Sequence, residues 1–146
     1  MTCAVMAADK GEAAPDFTLK DTAGKEFTLS SLRGKWVVID FWGSWCRWCI
    51  KGFPEMKKYY AAHKSKLEIV GVDCGDTEAT WQNAVKYYSL PWINVYEPGT
   101  DAAALPARYG VQGFPTKVIV DPKGVIHAVF VGETPDFYTE LDGLLK

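Results

Sequence analysis

The chain has 146 residues, of which 48% are hydrophobic and 14% are aromatic, and its formal net charge at pH 7 is −2. This length and composition predict one globular domain with a hydrophobic core of its own. The small negative charge creates no basic field, so we expect no binding to nucleic acid. Because no apolar run reaches the ~18 residues that a membrane helix needs, we also expect no stable membrane insertion of this chain.

The first residues are expected to lie outside the folded domain. We predict a flexible segment over residues 1–13 and a single domain over residues 14–146. Residues 1–8 are too short for a signal peptide, although they could be the truncated end of one or a remnant of a segment between domains. Cys3 could carry a lipid, but no recognisable attachment signal precedes it.

Hydrophobic patterns predict a hairpin, then the central strand and the first long helix. Residues 17–19 and 27–29 are short strand patterns separated by a turn sequence, which indicates a hairpin beside the main sheet. A β-branched run over residues 35–41 predicts a buried strand. The pattern then predicts a helix from Cys46 to about residue 63, bent where Pro54 removes a backbone donor.

Strands and helices alternate in the rest of the chain. Residues 67–73 predict a second buried strand, which the helix would join in parallel to the first. A helix capped by Asp76 or Thr77 follows. The remaining predicted elements are a short strand, a short helix weakened by Pro106, an antiparallel hairpin and a last helix, over residues 92–96, 101–109, 116–131 and from Thr134 onward.

Two cysteines stand where the first long helix begins. Residues i and i+3 lie on adjacent turns of one helix face, so Cys46 and Cys49 can close a small disulfide with little backbone movement. Cys46 lies at the positive end of the helix dipole, which favours its thiolate, and we expect its sulfur to be exposed. Arg47 adds positive charge nearby. Cys49, one turn further on the buried side, should keep its proton longer, so we predict that Cys46 attacks and Cys49 resolves.

Further runs before and after the cysteine pair carry a family resemblance. They are Ala-Pro-Asp-Phe-Thr-Leu at residues 14–19, Leu-Ser-Ser-Leu-Arg-Gly-Lys at 29–35, Asp-Phe-Trp at 40–42, Trp-Cys-x-x-Cys at 45–49 and Gly-Phe-Pro-Thr at 113–116. Together they resemble the thioredoxin superfamily, in its TlpA-like/ResA-like branch, over residues 14–146. The resemblance implies an α/β thioredoxin fold, with a central mixed β-sheet flanked by helices, an N-terminal β-hairpin and a central helix-containing insertion.

The resemblance also implies an activity and partners. It implies a thiol-disulfide oxidoreductase of the protein-disulfide reductase type, which exchanges its own dithiol and disulfide with protein thiols and disulfides. It implies work outside the cytoplasm, for example in the periplasm, with an upstream thiol reductant as a second partner. We expect a monomer that needs no cofactor and no metal ion.

Several site residues follow from the same resemblance. Asp40 occupies the place of a buried acid behind the second cysteine, where it could take the proton of Cys49. Pro115 occupies the place of a cis-proline that faces the thiols and leaves the Phe114 backbone free to pair with a substrate. The aromatic side chains near the thiols would form an apolar rim, unless they pack in the core instead. The expected substrate-binding residues are Trp45, Arg47, Trp48, Phe114 and Pro115.

The chain departs from ResA-like proteins at one position. These proteins often carry a glutamate three residues after the second cysteine, whereas this chain has Gly52. Glu55 is a poor substitute because it lies off the helix face of Cys49. We therefore expect the proton-handling acid to come from the strand alone.

Three alternatives to the oxidoreductase stay open. A peroxiredoxin-like peroxidase shares the run that begins at Ala14, but it needs a Pro-x-x-x-Thr/Ser-x-x-Cys motif, and no proline lies between Pro15 and Cys46. A metal-binding module would need Cys74 and a histidine to converge on the cysteine pair. A docking domain without redox activity is the third. Cys74 itself is expected to be a semi-buried small residue, with regulatory oxidation as a second possibility.

Overall fold

The structure, a computed structural model, describes residues 7–146. The expectation for Cys3 therefore lies outside the described residues. Strands and helices alternate along this part of the chain, with a 3-10 turn after the second strand. The elements are β1 (Thr18–Lys20), β2 (Glu26–Thr28), the 3-10 turn (Leu29–Leu32), β3 (Trp36–Trp42), α1 (Arg47–His63), β4 (Leu67–Cys74), α2 (Glu78–Tyr87), β5 (Ile93–Glu97), α3 (Leu105–Arg108), β6 (Thr116–Val120), β7 (Ile126–Val131) and α4 (Pro135–Leu144).

A mixed five-stranded sheet forms the centre of the domain. Its strand order is β5-β4-β3-β6-β7, with β3 at the middle. The strand β3 runs parallel to β4 and antiparallel to β6, and in the second pairing Asp40 lies opposite Lys117. The long helix α1 connects the parallel strands β3 and β4, as the sequence predicts.

The N-terminal hairpin lies beside this sheet. The strands β1 and β2 pair antiparallel, and a bridge between Asp21 and Val95 ties their turn to β5. Before the hairpin, residues 11–14 exchange backbone hydrogen bonds with residues 124–126, at the start of β7. The domain boundary at residue 13 stays a prediction.

The two faces of β3 pack into different clusters because successive side chains of a strand point to opposite sides. Val38 and Trp42 share a buried cluster with Cys49 and Phe53 of α1. Ile39 and other alternate residues pack on the opposite face. Asp40 lies two residues from both Val38 and Trp42 and therefore shares their face of the strand. Its carboxyl thus faces the layer that contains α1.

Local contacts explain where two helices begin. The helix predicted over residues 101–109 is wrong in length, since α3 spans only Leu105–Arg108. The Glu97 carboxylate accepts a hydrogen bond from the Leu105 amide at 2.9 Å and fixes this start. Pro106 then lies in the first turn, where its missing N–H is tolerated. Of the two predicted caps for α2, Thr77 serves, and it accepts a hydrogen bond from the Thr80 amide.

None of the helices in residues 7–146 is both long enough and apolar enough to cross a membrane.

Candidate active site

Cys46 and Cys49 form a disulfide at the start of α1. Cys46 is the N-cap residue of this helix, in extended backbone conformation, and its Sγ accepts a hydrogen bond from the Cys49 amide at 3.2 Å. The two Cα atoms are 5.3 Å apart, which lies within the usual range for a disulfide. The spacing-based prediction of a redox-competent pair at a helix start thus agrees with the structure.

The expectation that the Cys46 sulfur is exposed is wrong. Cys46 is only 6% exposed and Cys49 only 1%. Both belong to one apolar cluster with Phe53, and the partly buried Phe114 packs against it. The neighbouring tryptophans are exposed instead: 54% of the surface of Trp45 and 58% of that of Trp48 are accessible.

Trp45 is anchored although much of its ring faces solvent. Its indole N–H donates a hydrogen bond to the Cys74 carbonyl oxygen at 2.9 Å, and its ring meets that of Phe114 edge to face at 5.1 Å. Gly43 permits this approach, because a Cβ on that residue would lie 2.8 Å from the same carbonyl oxygen. The result is a fixed aromatic surface next to the disulfide.

The loop before β6 supplies the other predicted substrate residues. The Phe114–Pro115 peptide bond is cis, and the Pro115 carbonyl accepts a hydrogen bond from the Gly132 amide at 2.8 Å. Phe114 is half-buried against Trp45, whereas Pro115 is buried. Arg47 is exposed in the first turn of α1. Trp48 is also in that turn, with the Lys51 ammonium 4.6 Å from the centre of its ring.

Asp40 is a buried acid on the α1 side of the sheet, with 1% of its surface exposed. Burial raises the pKa of Asp40 above its ordinary value, the nearby Lys117 ammonium opposes this rise, and the Glu133 carboxylate adds to it. The Lys117 Nζ lies 3.6 Å from Asp40 Oδ1, which is longer than a hydrogen bond, and 3.3 Å from Glu133 Oε2. The site therefore holds two carboxyl groups around one ammonium.

The comparisons with known proteins identify the family. The sequence profile described as the AhpC/TSA family matches residues 10–129. The chain belongs to the AhpC/TSA family. Its relatives include two proteins named thiol-disulfide oxidoreductase ResA. The one from Bacillus cereus is 34% identical over 93% of this chain and 76% of its own length, and the one from Bacillus subtilis is 40% identical over 84% of this chain and 68% of its own length.

A solved structure agrees with these relatives. The thioredoxin domain of a thiol-disulfide oxidoreductase from Bacteroides vulgatus matches with a TM-score of 0.86 at 30% identity, and the match covers 96% of this chain and 100% of that one. The predicted thioredoxin fold and the ResA-like resemblance are confirmed. This AhpC/TSA family protein is a thiol-disulfide oxidoreductase, and protein thiols are its class of substrate.

Sequence reasoning missed the two groups that surround Asp40. Lys117 interrupts an apolar strand, and this could have indicated a partner on β3, because Asp40 is its register neighbour. No feature of the sequence indicated that Glu133 lies near Asp40. Its carboxylate fills the space where a side chain at residue 52 would stand, since a Cβ on Gly52 would lie 2.9 Å from Glu133 Cδ. The expectation that the strand alone supplies an acid is therefore incomplete.

Asp76 holds the loop before the disulfide, and a second carboxyl group, that of Asp73, is buried next to it. The Asp76 carboxylate accepts hydrogen bonds from the Ser44 amide at 2.8 Å and from the Ser44 hydroxyl at 2.7 Å. Asp73 is fully buried, and none of residues 7–146 donates a hydrogen bond to its oxygens. Burial, followed by hydrogen bonding to Asp76 and repulsion from it, raises the pKa of Asp73 to about 9. Asp73 is thus protonated at neutral pH and can donate to Asp76.

The Cys74 side chain belongs to a different buried cluster from that of Cys46 and Cys49. It is buried, and its Sγ contacts the Val72 carbonyl oxygen at 3.6 Å. Burial is the main reason that the pKa of Cys74 lies far above its ordinary value, and nearby acidic groups add to the rise, so its thiol is unreactive at neutral pH. Across the described residues, no three His, Cys, Asp or Glu side chains are grouped to hold a metal ion.

Proposed function

We propose that this family member reduces protein disulfides through Cys46, with Cys49 as the resolving thiol. The single observation that carries the proposal is the closed Cys46–Cys49 disulfide at the N-terminus of α1, beside the Phe114–Pro115 loop. The helix dipole at this position favours the thiolate of Cys46 once the disulfide is reduced.

The reaction has two exchange steps. The Cys46 thiolate attacks one sulfur of a substrate disulfide, so that a Cys46–substrate bond forms and the other substrate sulfur leaves as a thiolate. Cys49 then loses its proton and attacks the Cys46 sulfur. The Cys46–Cys49 bond forms, the Cys46–substrate bond breaks, and its electron pair leaves on the second substrate sulfur. Both substrate thiolates take up protons, and the enzyme pair has lost the two electrons that the substrate gained.

Asp40 is the proposed base for the second step. Its carboxyl faces the α1 layer that contains Cys49, and burial raises its pKa toward the range in which it can exchange a proton with a thiol. The low polarity of this layer makes a charged carboxylate there a stronger base than one in water.

The aromatic surface around the disulfide is the proposed docking site for an extended substrate segment. Trp45 and Trp48 offer exposed rings, Arg47 offers a charge, and the loop of Phe114 and Pro115 offers backbone groups. Because exposed tryptophans lie next to an almost buried reactive sulfur, we expect this surface to bind a polypeptide that brings its own disulfide to Cys46.

The direction and setting of the reaction follow from the family resemblance in the sequence. We infer a monomer that works outside the cytoplasm as a reductant and regains its electrons from an upstream dithiol protein. The midpoint potential of the Cys46–Cys49 pair in thiol redox buffers tests the direction. A reductant should lie near the thioredoxin value of about −270 mV, whereas a value near about −120 mV would identify an oxidant and contradict the proposal.

A peroxide assay separates this proposal from a peroxidase. The chain lacks a proline at the spacing before Cys46 that a peroxidatic motif requires. We expect the reduced protein to consume hydrogen peroxide no faster than a Cys46→Ser variant. Rapid consumption that depends on Cys46 would support the peroxidase instead.

A further inference from the structure

Three charged side chains form one connected group between α1 and the sheet. The Lys117 ammonium lies between the Asp40 and Glu133 carboxyl groups, at 3.6 Å and 3.3 Å. Lys117 and Asp40 are almost completely buried, whereas the Glu133 side chain is 21% exposed and lines a surface cleft of about 460 Å³. The group therefore runs from the buried acid to the protein surface.

Glu133 reaches this place because α1 has no side chain at residue 52. Gly52 follows Cys49 by three residues and lies one turn further along the same helix face. The Glu133 carboxylate lies so close to Gly52 that a Cβ there would displace it. A charged group from the loop before α4 thus stands against the helix face that carries the resolving cysteine.

We propose that Glu133 and Lys117 are positioning residues that govern the proton on Asp40 while Cys49 resolves the mixed disulfide. This inference rests on the role proposed above for Asp40. Lys117 attracts the ionised form of Asp40, whereas Glu133 repels that form and competes for the same ammonium. Together they keep Asp40 able to accept a proton from Cys49 and to release it afterwards.

The other titratable groups around Asp40 do not change their charge in the relevant range. The pKa values of Cys74 on β4 and Tyr138 on α4 are raised, mainly by burial and less by the charge of Asp40. The pKa of Asp73 on β4, raised by burial to about 9, also lies above it. The charged side chains that face Asp40 are therefore Lys117 and Glu133.

The test is the pH dependence of the resolving step in single turnovers of the full chain. Reduced protein is mixed with two peptides joined by a disulfide, and the release of each peptide thiol is timed between pH 5 and pH 8. The first release reports attack by Cys46, and the second reports resolution by Cys49. Because Asp40 must be ionised to act as a base, the second rate should rise with pH through a midpoint that Asp40 sets.

The two positioning residues should move this midpoint in opposite directions. Glu133→Gln removes the repelling charge, so the midpoint should fall, and Lys117→Met removes the attracting charge, so the midpoint should rise. The shift in Lys117→Met should be about one pH unit or more, as for an opposite charge whose Nζ lies 3.6 Å from Asp40 Oδ1. Glu55→Gln is the matched control, because Glu55 lines the same cleft but pairs with Lys58, and it should leave the midpoint unchanged.

Unchanged midpoints in both variants, or shifts in the same direction, would overturn this inference. If Lys117→Met does not fold, Glu133→Gln decides alone: a fall supports the inference and an unchanged midpoint overturns it. Asp40→Asn separates this outcome from a failure of the proposed function. If Asp40→Asn leaves the profile unchanged, the role of Asp40 is wrong. If it changes the profile while the other two variants do not, only the positioning role is wrong.

Discussion

Gly52 of α1 and Glu133 of the loop before α4 share one space, which a single added methyl group would overfill. Glycine to alanine inside a helix normally stabilises a protein by about 0.5–1 kcal/mol. At residue 52 the methyl group must push the Glu133 carboxylate away from Lys117, so we expect Gly52→Ala to gain less than this or to lose stability. Urea unfolding measures the difference.

A matched helical glycine makes this comparison sharp. Gly143 lies in α4, and a Cβ there would meet nothing within 4 Å. Gly143→Ala should therefore stabilise the protein. If Gly52→Ala gains as much as Gly143→Ala, the close approach of Glu133 is not important for stability.

The proposed role of Asp40 as a base predicts a changed pH profile. Its raised pKa means that its base form grows as the pH rises from the acid side, so resolution by Cys49 should accelerate over that range. In Asp40→Asn this rise should vanish, because no buried carboxyl group then takes the proton of Cys49. We expect the rate of resolution by Cys49 to fall about 10²-fold at neutral pH, which is the lower end of the effect of general base catalysis. Stopped-flow timing of the second peptide thiol measures it, and equal profiles would contradict the assignment.

The docking role of the exposed indoles predicts a selective effect on protein substrates. Trp48→Ala should lower kcat/KM for a disulfide-bonded protein about tenfold. A tryptophan that becomes buried when the substrate binds contributes somewhat more than ~1 kcal/mol to binding. Its rate with a small organic disulfide should change little, since the cysteines are untouched. Tyr87→Ala is the control, as Tyr87 is an aromatic residue 80% exposed at the end of α2. Equal losses with both substrates would argue against docking at Trp48.

The buried acid Asp73 predicts a pH-dependent stability. Its pKa is raised from 3.8 to about 9 on folding, mainly by burial, so the stability that it contributes is complete below about pH 3.8 and is lost as the pH rises toward 9. Asp73→Asn removes this titration and can still donate to Asp76. Between pH 6 and pH 8, the free energy of unfolding of the variant should fall less steeply, by up to about 1.4 kcal/mol per pH unit. Parallel curves from urea unfolding would contradict the protonated state of Asp73.

Local sequence predicted the redox pair and most of the fold. The i, i+3 spacing of Cys46 and Cys49 at a helix start is a local property. The alternating strands and helices are predicted from the period at which hydrophobic residues recur along the chain. The cis bond before Pro115 lies where the family resemblance places it. The same resemblance points to Asp40, and burial of this acid agrees with it.

The remaining features depend on contacts between distant parts of the chain. Lys117 meets Asp40 only because β6 pairs with β3 in one register, and Glu133 enters through a space that Gly52 leaves open. The burial of Cys46 depends on the apolar cluster that surrounds it, which no local pattern describes. Propensity places residues 101–109 in a helix, but the Glu97 carboxylate starts that helix later by binding the amide of Leu105.

The most direct test of the central claim is a trapped mixed disulfide. Reduced Cys49→Ser protein is mixed with a peptide disulfide, and the adduct is located by peptide mapping and mass spectrometry. We predict one stable adduct on Cys46, and none in the same time with a Cys46→Ser protein. The absence of an adduct in Cys49→Ser, or an adduct on Cys3 or Cys74 in place of Cys46, would contradict the account.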